Sequence, residues 1–441
     1  MFKNNKYNFT AILLWMAYFC HGMQAITISQ NAALFTEKWD LDPKTAAADI
    51  LSVVAWTGIG KISFLVFSGP LSDKIGRKPV AVTGLIGYVL MFGTFLVANN
   101  LAVASILAFI GGAMTSLFDG SINPALFEMY PENKSTASVL GKTFISVSSI
   151  LYPLFVAFLA SNSMSAELGI WLPFILSIVV LVGAIFAPFP DLDMQKAEGL
   201  KPAQAIKELE KRQSGNVQVA ETTDKANHND RAKFIIDGTV LSLFALTIYS
   251  NFYLFQQVSK IYAGTVLKMS EGAAASVTSL YQFGGLVATI FFSFLMARGI
   301  RDVAILVVAP VFSGLAGLLV YFFPSPMTLT LAGVVVGFCA AGGLLQMGNG
   351  VLNQFFTSNK GFNTSVYYFV MALGSYIVPK AASALLAAEE VNGVLTYPNA
   401  PTILLLIAAT GILSAALMVF VGYRYGHIFG VSIFSNSKKA N

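Results

Sequence analysis

The chain has 441 residues, of which 56% are apolar and only 11% charged, with a mean hydropathy of +0.69; a soluble domain carries about 25% charged residues. This composition excludes a water-soluble globular protein. Two cysteines, Cys20 and Cys339, both inside apolar runs, exclude a disulfide scaffold and lack the spacing of a metal site, and no cofactor motif accompanies them.

Apolar runs of the length that spans a bilayer as a helix, about 20 residues, occur at twelve places: 9–31, 47–70, 79–98, 102–127, 138–161, 168–190, 234–260, 271–297, 302–323, 327–352, 362–388 and 400–424. The first follows eight residues carrying Lys3 and Lys6 and lacks a cleavage pattern, so it is expected to stay as an uncleaved helix. An even number of spans places both termini on one side. Short loops keep lysine and arginine in the cytoplasm. The two tails, the loops on their side and the central loop hold 21 of the 27 cations, including Lys74, Arg77, Lys78, Lys134 and Lys142. Lys38, Lys44, Lys260 and Lys268 fall to the opposite loops, and Lys61 and Lys380 lie inside spans. Both termini are therefore expected in the cytoplasm. The formal charge of +5 is a topology signal that needs no nucleic acid.

Residues 191–233 interrupt the spans with 16 charged side chains. They read as a cytoplasmic linker between an N-terminal six-helix bundle over 1–190 and a C-terminal one over 234–424, with a tail over 425–441. Within the linker, Pro202 to Gln213 fits a short surface helix, with Glu208 and Arg212 at i,i+4 spacing. The remainder reads as disordered. It is a solvated spacer or a regulatory element.

A trace of duplication joins the halves. A shift of 230 residues aligns Asp119-Gly-Ser-Ile-Asn123 in the fourth span with Asn349-Gly-Val-Leu-Asn353 in the tenth, the pairing that a six-plus-six repeat requires.

The most specific string is Gly69-Pro-Leu-Ser-Asp-Lys-Ile-Gly-Arg-Lys-Pro79, between spans two and three. Gly76 permits a tight bend, Pro79 suits the first turn of a new helix, and Lys74, Arg77 and Lys78 hold the loop in the cytoplasm. A turn has no need of Asp73. The string resembles the loop signature of the major facilitator superfamily, G-x-L-(S/A)-D-(R/K)-x-G-R-(R/K), at every fixed position. With it, His21-Gly-Met23, Gly58-Ile-Gly-Lys-Ile-Ser63 and Phe118-Asp-Gly-Ser-Ile-Asn-Pro124 with Glu128 are similar to bacterial inner-membrane transporters of the YdiM/YdiN type.

The resemblance implies an all-α membrane protein, with twelve transmembrane helices in two pseudo-symmetric six-helix bundles, acting as a secondary transporter by alternating access. It also implies gating roles for Gly69, Asp73, Gly76, Arg77, Lys78 and Glu128. Asp73 would cap the eleventh span near Phe362 to Thr364, and Arg77 would pair with Glu128; a purely topological role for these charges is the alternative. Arg298-Gly-Ile-Arg301-Asp302 is the degraded copy in the second half. Span five reads Ser149-Ile-Leu-Tyr-Pro153 and lacks the antiporter string of the superfamily's exporters. The fourth span also lacks the arginine that drug exporters carry.

Ionisable groups inside a span are costly and are functional candidates. Lys61 lies nine residues from the cytoplasmic end of span two, roughly 14 Å at about 1.5 Å per residue, and Asp119 lies at similar depth on span four. They are expected to pair, either as a fixed strut or as a switch broken by protonating Asp119 or by binding a substrate anion at Lys61. Lys380, one turn after Tyr376, invites an anion or else reaches Glu389 or Glu390. In the resembled fold, spans one, four, seven and ten line the central cavity. Their polar stripes are His21 and Gln24; Ser116, Asp119 and Asn123; Tyr249, Tyr253, Gln256 and Lys260; and Gln346, Asn349 and Asn353. Each could instead supply interhelical hydrogen bonds. His21 either exchanges a proton with Asp119 or is a packing residue. Glycines at 111, 112, 342, 343, 348 and 350 would let spans four and ten pack closely.

The expected function is proton-coupled transport of a small organic anion, a hydroxylated or aromatic carboxylate, by a monomer in the bilayer. A sugar or polyol carrier and an exporter of drugs or metabolites are the alternatives, with a channel or membrane sensor beyond them. No ATP-binding loop, nucleophile-base set or metal cluster is present in the sequence, so an enzyme is not expected.

Overall fold

The computed structural model describes residues 5–216, 233–356 and 360–434. Among these, twelve helices are long and apolar enough to cross a membrane, and the chain is a multi-pass membrane protein. In the first half, α1 (Asn8–Gln30) is followed by the short α2 (Ala32–Lys38). Then come α3 (Ala46–Ile75), α4 (Arg77–Phe95), α5 (Leu101–Met129), α6 (Lys134–Ser161) and α7 (Leu168–Phe186). Linker residues form α8 (Pro190–Glu198) and α9 (Pro202–Asn216). In the second half come α10 (Thr239–Thr265), α11 (Glu271–Ala297), α12 (Asp302–Phe322), α13 (Pro326–Val336), α14 (Leu344–Phe355), α15 (Lys360–Leu385) and α16 (Pro401–Phe429).

The helix ends follow local chemistry. The Asn100 side chain accepts from the Val103 N–H at 2.9 Å and opens α5, as N-cap asparagines do. Ser325 and Thr328 form a reciprocal capping box ahead of Pro326 on α13. Gly76, at φ +101°, is the single residue between α3 and α4. Gly299, at φ +93°, makes the corresponding bend after α11.

By contacts the chain divides into two compact units. The first comprises Met1–Asp40, Trp56–Tyr152 and Ser163–Asp224; the second comprises Leu41–Ala55, Pro153–Asn162 and Lys225–Asn441. In the first unit, α3 and α5 cross with their backbones touching. A Cβ on Gly60 would lie 1.9 Å from the Phe109 carbonyl oxygen, and one on Gly112 would lie 1.8 Å from that of Thr57. Only glycine at both positions permits this crossing. The Tyr152 hydroxyl donates to the Gly169 carbonyl at 2.8 Å and accepts from Asn31 at 2.7 Å, tying α6, α7 and the end of α1.

In the second unit, Asn251 of α10 is fully buried. It donates to the Ile407 carbonyl at 2.6 Å and accepts from Ser313 at 2.5 Å, joining α10, α12 and α16. The first turns of α3 also belong to this unit. Ser383 donates to the Ala48 carbonyl at 2.7 Å, and Lys44 pairs with Glu390 at 2.7 Å.

Four details depart from the sequence expectation. The tenth span is not one straight helix: a π-helical turn, Gly337–Ala341, and Gly343 at φ +91° separate α13 from α14. The cause is close packing against α11, because a Cβ on Gly337 would lie 1.9 Å from the Tyr281 carbonyl oxygen. The eleventh span ends at Leu385, and Glu389–Val391 (β1) and Val394–Thr396 (β2) form an antiparallel hairpin. Its turn is carried by Asn392 and Gly393, both at positive φ, the Asn-Gly pair that such turns favour. Linker residues expected to be unstructured form α8, and α9 packs Ala205 and Ile206 inward; residues 217–232 lie outside the described set. Lys142 and Lys260, expected in loops, lie within α6 and α10.

Candidate functional site

The α3–α5 crossing places Lys61 one residue after Gly60 and opposite the fourth span's polar stripe. Ser116 is fully buried and donates to the Lys61 carbonyl at 2.7 Å. One turn further along α5, Asp119 is exposed and lies in the electrostatic field of both Lys61 and Lys142. Among the described residues, none of the three forms a salt bridge. The expected Lys61–Asp119 ion pair is therefore absent from this structure, and the carboxylate instead acts across a gap on two cations. Lys142 reaches the cluster because Gly141 abuts the Tyr18 ring, where a Cβ would lie 2.8 Å from a ring carbon. The buried Tyr18 hydroxyl closes no hydrogen bond among the described residues, and Asn123 lies one turn beyond Asp119 on α5. Counted formally, the two lysines and the one carboxylate leave one excess positive charge.

His21 opens on the same region. Its Nδ1 lies 2.9 Å from the Tyr88 hydroxyl, which lies 2.9 Å from the Thr115 hydroxyl. Thr115 in turn reaches the Gln24 side-chain oxygen at 3.3 Å and the Gly111 carbonyl at 3.1 Å. Gln24 is 3% exposed and lies in the α1–α5 packing. His21 Nδ1 is thus committed to the hydroxyl chain, and Nε2 has no protein partner among the described residues.

In the second unit, the Tyr249 and Tyr253 rings stack at 5.0 Å, inclined by 20°. Tyr249 is bonded to Ser375 and Tyr253 to Gln257. Gln256 is half-buried nearby on α10. Asn349 accepts from Thr364 at 3.1 Å, and Asn353 donates to the Asn349 carbonyl at 3.0 Å. These amides therefore tie α14 to α15. Gln346 and Lys380 are exposed. Glu390, one of the two acids expected for Lys380, is taken by Lys44. Lys260 is buried in a salt bridge with Glu271 and ties α10 to α11.

The basic loop is organised around Arg77, which is 3% exposed. Its Nε donates to Glu128 at 2.8 Å, and one terminal nitrogen donates to Asp73 at 2.5 Å and to Ser72 at 3.1 Å. Its backbone N–H donates to Asp191 of α8 at 3.0 Å. Asp73 thus spends its carboxylate within its own unit. Gly76 is required sterically as well as by its φ, since a Cβ there would lie 2.9 Å from the Asp191 Oδ2. Lys78 donates to the Ala187 carbonyl at 2.9 Å. A Cβ on Gly69 would meet nothing within 4 Å. The loop after α11 is looser. Among the described residues, Arg301 reaches only the Tyr425 hydroxyl, at 3.5 Å, and its Nε has no partner. Asp302 is held by Gln354 at 2.8 Å.

Sequence reasoning missed Tyr18, Tyr88, Thr115 and Asp191 and misplaced Lys142. The lysine carried a signal: it lies eight residues past Lys134 and about one turn into the apolar run 138–161. Tyr88 carried none, being a single tyrosine among apolar neighbours.

The chain is similar to known proteins along most of its length. The chain is 27% identical to the inner membrane transport protein YdiN of Escherichia coli (strain K12), over 95% of this chain and 90% of that protein. It is 28% identical to YdiM of the same organism, over 95% of each. It is 27% identical to the uncharacterized MFS-type transporter YfkL of Bacillus subtilis (strain 168), over 96% and 98%. The crystal structure of a D-xylose-proton symporter matches at a TM-score of 0.70 and 14% identity, covering 93% of this chain and 96% of that one. That of the nucleoside transporter NupG matches at 0.64 and 15%, covering 95% and 100%. At such identities the structures show a shared fold. The profile of the Major Facilitator Superfamily matches residues 14–257, over half of the chain, and the chain belongs to that superfamily of membrane transporters.

Proposed function

We propose that this transporter carries a small organic anion, a hydroxylated or aromatic carboxylate, together with protons, by alternating access in a bacterial inner membrane with both termini cytoplasmic. The observation that carries the reading is the Lys61–Asp119–Lys142 cluster: two cations act on one carboxylate with no salt bridge closed among them. A substrate carboxylate brought to Lys61 and Lys142 neutralises the excess charge. It also withdraws the cations' field from Asp119, which then favours the protonated form, so anion and proton bind together. His21 presents Nε2 to a substrate hydroxyl, held in orientation by Tyr88 and Thr115. Lys380 is a second anion contact, with Asn123, Gln346 and Asn349 as further polar ones. The Arg77 cluster with Asp73 and Glu128 serves as a gate whose ties change between states.

The stacked pair Tyr249–Tyr253 with Gln256 supports a second reading, a proton-coupled sugar or polyol carrier. There the same rings cover the solute's apolar face, and Lys61 and Asp119 are coupling groups alone. An uptake panel in proteoliposomes, with hydroxylated and aromatic carboxylates against sugars at two external pH values, tests both. Carboxylate accumulation that rises with external acidity supports the anion reading. Accumulation confined to sugars would replace it with the second.

A further inference from the structure

The hydroxyl chain that starts at His21 has a direction, and that direction fixes what the imidazole shows to a solute. Thr115 carries one hydroxyl hydrogen. Two of its neighbours, the Gly111 carbonyl at 3.1 Å and the Gln24 side-chain oxygen at 3.3 Å, can only accept it. Gln24 is 3% exposed, and among the described residues the Thr115 hydroxyl is the donor that reaches its oxygen. A buried acceptor left without a donor is costly, so the Thr115 hydrogen points away from Tyr88.

The Tyr88 and Thr115 oxygens lie 2.9 Å apart, a distance at which two hydroxyls repel unless a hydrogen sits between them. That hydrogen comes from Tyr88. Tyr88 is fully buried and has no second hydrogen to give, so its 2.9 Å contact with His21 Nδ1 takes its hydrogen from the ring. Nδ1 also faces the Thr115 oxygen at 3.4 Å, a further acceptor for the same hydrogen. Three contacts thus use three hydrogens in one order: His21 to Tyr88, Tyr88 to Thr115, and Thr115 to Gln24 or Gly111. Running the chain the other way strips the Gln24 oxygen of its donor.

A neutral imidazole carries a single hydrogen. With it on Nδ1, Nε2 is a bare acceptor. Nε2 has no partner among the described residues, and it keeps accessible surface because His21 is only half-buried. Lys61 is the charged group that acts on His21, and the same lysine acts on Asp119. A cation and a hydrogen-bond acceptor therefore serve one region of the first unit.

We propose that Tyr88, Thr115 and Gln24 are positioning residues that hold His21 with its hydrogen on Nδ1, and that the Nε2 acceptor selects solutes bearing a hydroxyl beside the carboxylate. This selection rests on the anion reading above and narrows its carboxylates to hydroxy acids. A hydroxy acid sets its carboxylate at Lys61 and donates its hydroxyl hydrogen to Nε2. The matching oxo acid has the same carbon skeleton but brings a lone pair against a lone pair.

Nitrogen NMR of the full-length protein in nanodiscs, with labelled histidine, reads the tautomer with no solute present. The chain has three histidines, and His228→Gln with His427→Gln leaves His21 as the one observed. At alkaline pH, Nδ1 should show the shift of a protonated ring nitrogen and Nε2 that of a bare one. Thr115→Val leaves the Tyr88 hydrogen no acceptor but Nδ1, so the two signals should exchange, and Thr115→Ser should restore them. Uptake into proteoliposomes then compares lactate with pyruvate and mandelate with phenylglyoxylate. The hydroxy member of each pair should have a KM about tenfold lower, the worth of one hydrogen bond in a buried site, with a smaller difference in kcat. Thr115→Val should reverse that preference and Thr115→Ser should keep it. A hydrogen found on Nε2 in the unsubstituted site, or a tautomer indifferent to Thr115→Val, would overturn the proposal. So would carboxylate uptake that ignores the pairing or favours the oxo acids. If no carboxylate is carried, the anion reading falls and the hydroxy-acid selection with it, while the spectrum decides the tautomer on its own.

Discussion

The two halves of this transporter distribute their chemistry unequally. In the first unit, Lys61, Asp119 and Lys142 act on one another without closing a salt bridge, and Arg77 is enclosed by Asp73, Glu128 and Ser72. In the second, the stripes carry stacked tyrosines on α10 and amides on α14 that bind one another, and the one lysine among them, Lys260, is closed in a salt bridge with Glu271. The second loop has its bend at Gly299 and a cation at Arg301, but among the described residues the arginine closes no salt bridge. The aligned positions Asp119 and Asn349 summarise the divergence, one a carboxylate exposed to two lysines and the other an amide spent on Thr364. The first bundle keeps an ionic cluster open, whereas the ion pairs Lys260–Glu271 and Arg424–Asp237 of the second are closed.

The strongest way to break this comparison is to remove the arginine from each loop. Arg77→Ala strands Glu128 in a buried site and should cost about 3–5 kcal/mol, seen as a lowered melting temperature of the purified protein. Arg301→Ala should stay within about 1 kcal/mol. Equal losses would show that the two loops are not differently built. Next, Gly112→Leu drives a side chain into the Thr57 carbonyl and should cost about 1–3 kcal/mol while spreading α3 from α5. Transport should then fall further than stability alone explains, because Lys61 is displaced from Asp119.

Two smaller effects sharpen the contrast. Lys142→Gln should raise the KM for a carboxylate about tenfold, the worth of one charged hydrogen bond, whereas Gln346→Leu in the second bundle should change it by less than about threefold. Carboxylate uptake kinetics compare the two directly. Tyr253→Phe removes one hydrogen bond, to Gln257, and should cost about 1 kcal/mol of stability with no change in pH dependence of uptake.

The spans were legible to within a few residues because bilayer thickness dictates a run of apolar residues and charge marks its ends. Arg77 and Glu128 were legible because the loop string specifies a family geometry. The break in the tenth span was not, since it arises where Gly337 meets a carbonyl on α11, a neighbour that no local pattern names. Lys142 was misread for a related reason: eight residues after Lys134, it looked like part of a charged loop, and only the packing of Gly141 on Tyr18 carries it into the cluster. Asp191 reads in sequence as one more linker acid. Its burial depends on the turn at Gly76, more than a hundred residues earlier. What escaped the sequence was contact between helices distant along the chain.

The central claim is that Asp119 couples protons to an anion held by Lys61 and Lys142. Its most direct test compares wild type and Asp119→Asn in proteoliposomes loaded with a transported carboxylate, with and without an imposed pH gradient. The account predicts that the variant exchanges substrate across the membrane at near wild-type rates but no longer accumulates it when the gradient is applied. Gradient-driven accumulation that persists undiminished in Asp119→Asn would contradict it.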